Sequence, residues 1–215
     1  MKRERGGGDG RAASFADALD ELKRRGSTLL VVGGPDPETD RACERLLGEP
    51  AARRRHLYVR TATGGTRDVE GVPSRTVTYG GAARSTAAAS GGATEPTDAV
   101  VDGDLGDLQA AVDDAVDALR PADGFEPAEL RLCVDAADSL LASHDEARVF
   151  QFLHAVRGRM RETGGMGHVH LPVAFDDRHV HLLAPLFDAV IEVRAGGQQR
   201  WHLEDPDLTT DWLPL

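Results

Sequence analysis

Residues 28–48 read TLLVVGGPDPETDRACERLLG. The first five are apolar and mostly β-branched or leucine, with no polar alternation, which marks a strand buried on both faces. Gly33-Gly34-Pro35 then breaks the run. Pro37 to Leu47 follows with helical spacing, Ala42, Leu46 and Leu47 turned inward and Gly48 as the stop. A buried strand, a glycine turn and a helix make the first half of a parallel βαβ unit, so the chain reads as α/β.

The same grammar extends in both directions. Upstream, Ser14 precedes Phe15, Leu19 and Leu22 at helical spacing, with Asp17 three residues on, and Gly26 closes that helix. Residues 1–12 read as a disordered leader. Downstream, strands are expected at His56–Val59, Arg75–Tyr79 and Ala99–Val101. Residues 61–98 form a Gly/Ala/Ser/Thr-rich insert with little to bury, so a mobile loop is expected over 80–96. Asp104 caps a helix to Leu119, and Leu130–Val134 is another buried strand that ends at Asp135. Helices are predicted over Ser139–Ala142, Asp145–Arg161 and His179–Phe187, and strands over His168–Leu171 and Ala189–Val193. Gly196-Gly197 signals a hairpin returning through Gln199–Leu203. The expected architecture is one domain over 13–215, a mostly parallel sheet with an antiparallel C-terminal hairpin.

Composition narrows the function classes. The chain has 215 residues, and 25 basic against 36 acidic side chains leave a net charge of −11. That acidity is spread along the chain, which argues against a general phosphate-binding surface for nucleic acid. Lys2 and Lys23 are the only lysines. An Asp-rich, Lys-poor surface suits solubility in molar salt and predicts a halophilic, haloarchaeal cytoplasm; a high-GC bacterium is the alternative source of the same bias. No apolar run approaches the ~18–20 residues of a membrane helix, and the charged, glycine-rich start lacks the features of a signal peptide. A soluble cytoplasmic protein is expected.

The turn after the first strand is where an α/β fold presents helix amides to phosphate. A P-loop, G-x-x-x-x-G-K-[ST], fits neither frame. From Gly33 the chain offers Glu38, Thr39 and Asp40 at the last three positions, and from Gly34 it offers Thr39, Asp40 and Arg41. The lysine is missing, and Asp36, Glu38 and Asp40 complement the helix dipole with the protein's own carboxylates. The residual nucleotide-site positions are Gly33, Gly34, Thr39 and Asp135. Asp135, at a strand end, is placed to hold magnesium in a hydrolase, or it and Asp138 cap the next helix.

Together TLLVVGG, LRLCVDAADSLL, VFQFLHAVRGRM, GGMGHVHLPV and LLAPLFDAVIEV resemble the RecA/KaiC-type ATPase core. More closely, they are similar to a haloarchaeal family of KaiC-like proteins whose P-loop has degenerated. The resemblance covers 14–60 and 125–215, and it places LRLCVDAADSLL at the second nucleotide motif. It implies a RecA-like three-layer sandwich. With the P-loop lysine absent, the function expected is a catalytically inactive pseudo-ATPase, a regulatory or scaffold protein in signalling or transcriptional control that meets a protein partner or a second copy. The alternative is an active hydrolase of ATP with Mg, using Asp135 and an arginine, Arg41 or Arg45, in place of the lysine.

Two further features remain. His168 and His170 share a strand face and are able to chelate one ion, whereas His179 and His181 diverge by about 200° if helical. Cys43 and Cys133 are too few and too far apart in sequence to read as a zinc cluster, and Cys133 is expected to be an inert mid-strand thiol. Trp201, Trp212, Leu213 and Leu215 either pack back on the sheet or form a partner-docking patch.

Overall fold

The computed structural model describes residues 7–34, 37–49, 52–61, 71–80 and 98–215. The stretch that decides the fold forms β1 (Ser27–Val32), buried at all six positions, and α2 (Pro37–Leu47). Upstream lies α1 (Gly7–Arg25). The remaining elements follow as β2 (Arg55–Thr61), β3 (Ser74–Tyr79), β4 (Asp98–Val101), α3 (Leu105–Leu119), β5 (Leu130–Asp135), α4 (Ala137–Ser143), α5 (Glu146–Thr163), β6 (Met166–Leu171), α6 (Arg178–Leu183) and β7 (Ala189–Arg194). Three strands close the chain: β8 (Gln198–Leu203), β9 (Leu208–Thr209) and β10 (Leu213–Pro214).

One sheet carries the order β10-β8-β7-β1-β6-β5-β2-β3-β4, with β9 paired to β8. The strands from β7 through β4 pair in parallel, and β8, β9 and β10 are antiparallel. The architecture is therefore α/β with a mostly parallel sheet and an antiparallel C-terminal end, as the sequence predicts. Parallel strands need crossovers, and the helices that supply them cover both faces, which is why β1 and β6 are buried at every position and β5 at all but its last.

The alternation along β1 divides the core in two. Leu29 and Val31 meet Ala18 and Leu22 of α1 and Ala42 of α2, together with Ile191, Val193 and Trp201. Leu30 and Val32 face the larger cluster built by α3 to α6, including Leu108, Val112, Phe152, Val156 and Met160. Each fully buried Leu or Val of this kind contributes about 1.5–3 kcal/mol relative to exposure. The connection from β1 leads toward β2 and that from β6 leads back past β1 to β7, so β1 and β6 flank a topological switch point.

Several boundaries differ from expectation. The first helix starts at Gly7, so residues 7–12, assigned to the leader, are helical; it runs back through Ala12 and Ala13, both strong helix formers. Residues 1–6 and the insert stretches 62–70 and 81–97 lie outside the described residues. Asp104 does cap α3, accepting from the amides of Gly106 and Asp107. Asp135 and Asp138 do not cap α4: the N-cap is Ala136, with no side-chain cap bond, because β5 extends through Asp135 and the helix opens directly behind it. The helix expected to reach Phe187 ends at Leu183 and tightens into a 3-10 turn over Ala184–Leu186, where Pro185 supplies no amide for an α-helical bond. No helix among the described residues is long and apolar enough to cross a membrane.

The C-terminal residues lie on the chain's own sheet. Trp201 is buried and meets the Phe15 ring edge-on at 5.5 Å. Leu213 pairs with Gln199, Leu215 packs against the cluster of Trp201, and Trp212 carries the guanidinium groups of Arg194 and Arg200 at 3.8 and 4.5 Å from its centroid. These aromatic residues finish the α1 side of the core and the hairpin edge.

Candidate functional site

Two places gather chemistry, both built around α2. The first is the turn that leads into it. Gly33 follows β1 in a glycine-only conformation (φ 154°), and a Cβ there would stand 2.6 Å from the Val193 carbonyl oxygen of neighbouring β7. Gly34 is exposed and open on all sides. Thr39 Oγ1 donates to the Gly34 carbonyl at 3.1 Å, folding the turn onto the first turn of α2.

Gly33, Gly34 and Thr39 line a cleft of about 600 Å³, together with Asp176, Glu192 and Arg194 among others. The structure thus brings three of the four residual nucleotide-site positions together. Asp135 is not among the residues lining the cleft; β6 separates its strand from β1. Of the lining carboxylates Glu192 accepts from Arg200, and beside the cleft Arg41 donates to Glu38 at 3.0 Å. Arg41 is thereby tied within its own helix, and Arg45 sits exposed in the last turn of α2, away from the cleft. Neither arginine is among the residues lining the cleft. Asp176 and Glu192 line the cleft beside one cation, Arg194, whose guanidinium donates to the Gln198 side chain and lies over the Trp212 ring.

The second place lies beneath α2, on the α1/α2 face of the sheet. Cys43 projects from the buried side of α2, Cys133 from β5, and His168 and His170 from β6. Parallel pairing sets Cys133 directly opposite His168. The side-chain period of two then puts His170 on the same face, and the two imidazole centroids lie 5.3 Å apart. Cys43 Sγ is 3.3 Å from Cys133 Sγ and 2.9 Å from His168 Nε2. One ligating atom from each of the four residues falls within 4.8 Å of the others. All four are nearly sealed from solvent, at 0, 1, 2 and 5% exposure respectively.

The electrostatics of this pocket favour a thiolate. The neighbouring Cys133 thiol, with the His168 imidazole adding to it, holds the Cys43 thiol far below its ordinary range, against the opposing effect of burial. His170 keeps its Nε2 buried with no hydrogen-bond partner among the described residues. Arg131 lies on the same face of β5 and donates to the Ala128 and Leu46 carbonyls and to the Met166 sulfur. Burial and the Arg54 cation lower its guanidinium to about 10.

His168 and His170 therefore do converge, and the thiols, expected to be unrelated, converge with them. Sequence distance misled here: Cys43 and Cys133 stand 90 residues apart, and only the β1–α2–β2 crossover lays α2 over β5. One signal was available. H-x-H inside a strand that should be apolar on both faces is an anomaly. His179 and His202 stay apart from it: His179 pairs with Asp177 at 3.0 Å, and His202 stacks on Phe175 at 4.3 Å.

Comparison with known proteins adds the following. The family described as a family of unknown function, DUF7504, matches residues 26–193. The chain belongs to it. The DUF7504 match runs from the glycine that closes α1 to Val193 of β7, so it spans the cleft turn and all four cysteine and histidine positions, and it stops before β8 and the C-terminal residues, where Trp201 and Trp212 lie. No curated protein matches the sequence. A solved structure from Pyrococcus horikoshii OT3, determined in a structural study, is similar at 10% identity with a TM-score of 0.53, covering 88% of this chain and 94% of that one. At that identity the likeness is one of fold.

Proposed function

We propose that this DUF7504 domain is RecA-like in fold but has no nucleotide chemistry, and that it serves as a regulatory or scaffold component through contacts with another protein or a second copy. The observation that carries the reading is the turn between β1 and α2. It sits at the switch point where an α/β sheet takes its ligand, yet it lacks the lysine, and acidic residues stand at Glu38, Asp176 and Glu192. Supporting the RecA-like fold is the placement of the two motif strands, with β1 central and the strand ending in Asp135 one position beyond β6. The dispersed acidity and near-absence of lysine support a halophilic cytoplasmic setting.

The test is a thermal melt in molar KCl with and without Mg-ATP. The expected result is an unchanged midpoint. A site binding Mg-ATP would stabilise the fold by about 2.7 kcal/mol at a hundred times its dissociation constant. A rise of that kind, abolished by Asp135→Asn, overturns the proposal in favour of a Mg-dependent hydrolase with an atypical loop.

A further inference from the structure

We propose that Cys43, Cys133, His168 and His170 together bind one zinc-class divalent ion, which clamps α2 onto strands β5 and β6. The donor set decides the class of ion. Two sulfurs and two imidazole nitrogens suit a borderline-soft metal in tetrahedral geometry, and the absence of oxygen donors from the set disfavours calcium and magnesium.

The dimensions agree with that geometry. With Zn–S about 2.3 Å and Zn–N about 2.0–2.1 Å, ligand atoms around a tetrahedral ion stand about 3.3–3.8 Å apart. In the protein the two shortest contacts are 2.9 and 3.3 Å, within a group that spans no more than 4.8 Å. To admit the ion, the sulfurs part by about 0.5 Å, and Cys43 Sγ and His168 Nε2 by about 0.6 Å.

Burial supplies an independent argument. Polar groups placed in a core are ordinarily paired, since an unpaired one costs free energy. The His170 ring is 5% exposed and retains a nitrogen without a partner among the described residues. Four polar side chains cluster between α2 and the sheet, where leucine and valine would pack without that cost. An ion at their centre satisfies the group as a unit.

The site is closed, with four protein ligands and no exposed face, so its role is structural and not catalytic. As the ion binds, each protonated thiol releases its proton to solvent and a sulfur–metal bond forms; the histidines coordinate as neutral imidazoles, and no redox change occurs. The three anchor points lie on α2, β5 and β6, none of which is covalently close to the others. Loading therefore fixes the helix whose N-terminus forms the acidic turn, independently of what that turn binds.

The full chain, reduced and stripped of metal by chelation in molar KCl, is titrated with Co²⁺ as an optical probe and then with Zn²⁺. The expected result is one Co²⁺ per chain with visible tetrahedral d–d bands and a thiolate charge-transfer band, both bleached by Zn²⁺. Cys133→Ser and His170→Ala each weaken binding by at least about 100-fold, exceeding the 10–100-fold typical of losing a residue that merely supports a ligand. Because either variant risks misfolding, Zn²⁺ protection of both thiols from alkylation is measured on the unaltered chain, and protection is expected. A folded, reduced wild-type chain that shows no tetrahedral bands overturns the proposal. So do bands that survive Cys133→Ser undiminished, or thiols that alkylate equally fast with and without Zn²⁺.

Discussion

Replacing Asp188 with alanine is expected to cost about 2–4 kcal/mol of folding stability, for the loss of charge-assisted hydrogen bonds together with a backbone amide left unpaired in the core. Asp188 stands just before β7 with its side chain only 3% exposed. Its Oδ1 accepts from Arg161 at 2.6 Å and Arg25 at 3.3 Å, with Arg157 at 3.8 Å. Its Oδ2 accepts from the Thr28 amide at 2.9 Å, and its own amide donates to the Thr28 carbonyl at 2.8 Å. One carboxylate thus joins the end of α1, the last turns of α5 and the entrance of β1. The arginines are partly exposed and regain water when the carboxylate is lost, whereas the Thr28 amide is left unpaired in a buried strand.

Asp188→Asn keeps the shape and an acceptor for Thr28 but loses the charge, and a smaller loss of about 1–3 kcal/mol is expected. Denaturant melts of both variants check the order. Since the carboxylate is buried, the loss should persist in molar KCl, unlike that of an exposed ion pair. A loss below about 1 kcal/mol for Asp188→Ala contradicts the assignment of Asp188 as the junction of these elements.

The second large effect separates two adjacent glycines. Gly33→Ala is expected to destabilise the fold by about 2–4 kcal/mol, combining backbone strain with overpacking. Gly33 has φ 154°, and its Cβ would stand 2.6 Å from a carbonyl oxygen of β7, an atom held by the sheet. Gly34→Ala meets nothing within 4 Å and adopts no glycine-only conformation, so a change of less than about 0.5 kcal/mol is expected. Thermal melts of the two variants decide the matter. Equal effects would mean that the close approach of the turn to β7 does not constrain position 33. The contrast also bears on the cleft: the first glycine is demanded by the neighbouring strand, so its presence is no evidence of a phosphate ligand.

Much of this was legible in the chain itself. The runs at 28–32, 130–134 and 189–193, each interrupted by no more than one charged residue, pointed to strands covered on both faces, and strands covered on both faces imply parallel pairing with helical crossovers. Asp104 announced α3, and Gly196-Gly197 announced the hairpin; both act within a few residues, so sequence suffices to read them. The missing lysine after Gly33 and Gly34 was equally plain, since a P-loop is a contiguous motif. Where Ala136 replaced Asp135 as the helix cap, local preference yielded to the length of β5.

The Cys43–Cys133–His168–His170 group and the Asp188 junction were not legible. Each depends on strand order and register. His168 meets Cys133 because β5 and β6 are neighbours at that register, and Cys43 joins them because α2 crosses over β5 on its way from β1 to β2. Arg25, Arg157 and Arg161 converge on Asp188 because β7 lies against β1. Hydrophobic pattern determines which residues are buried and in what kind of element, since burial energy depends on each side chain alone. Which buried polar groups meet is decided by the tertiary pairing of segments far apart in the chain, and that information is held in the packing.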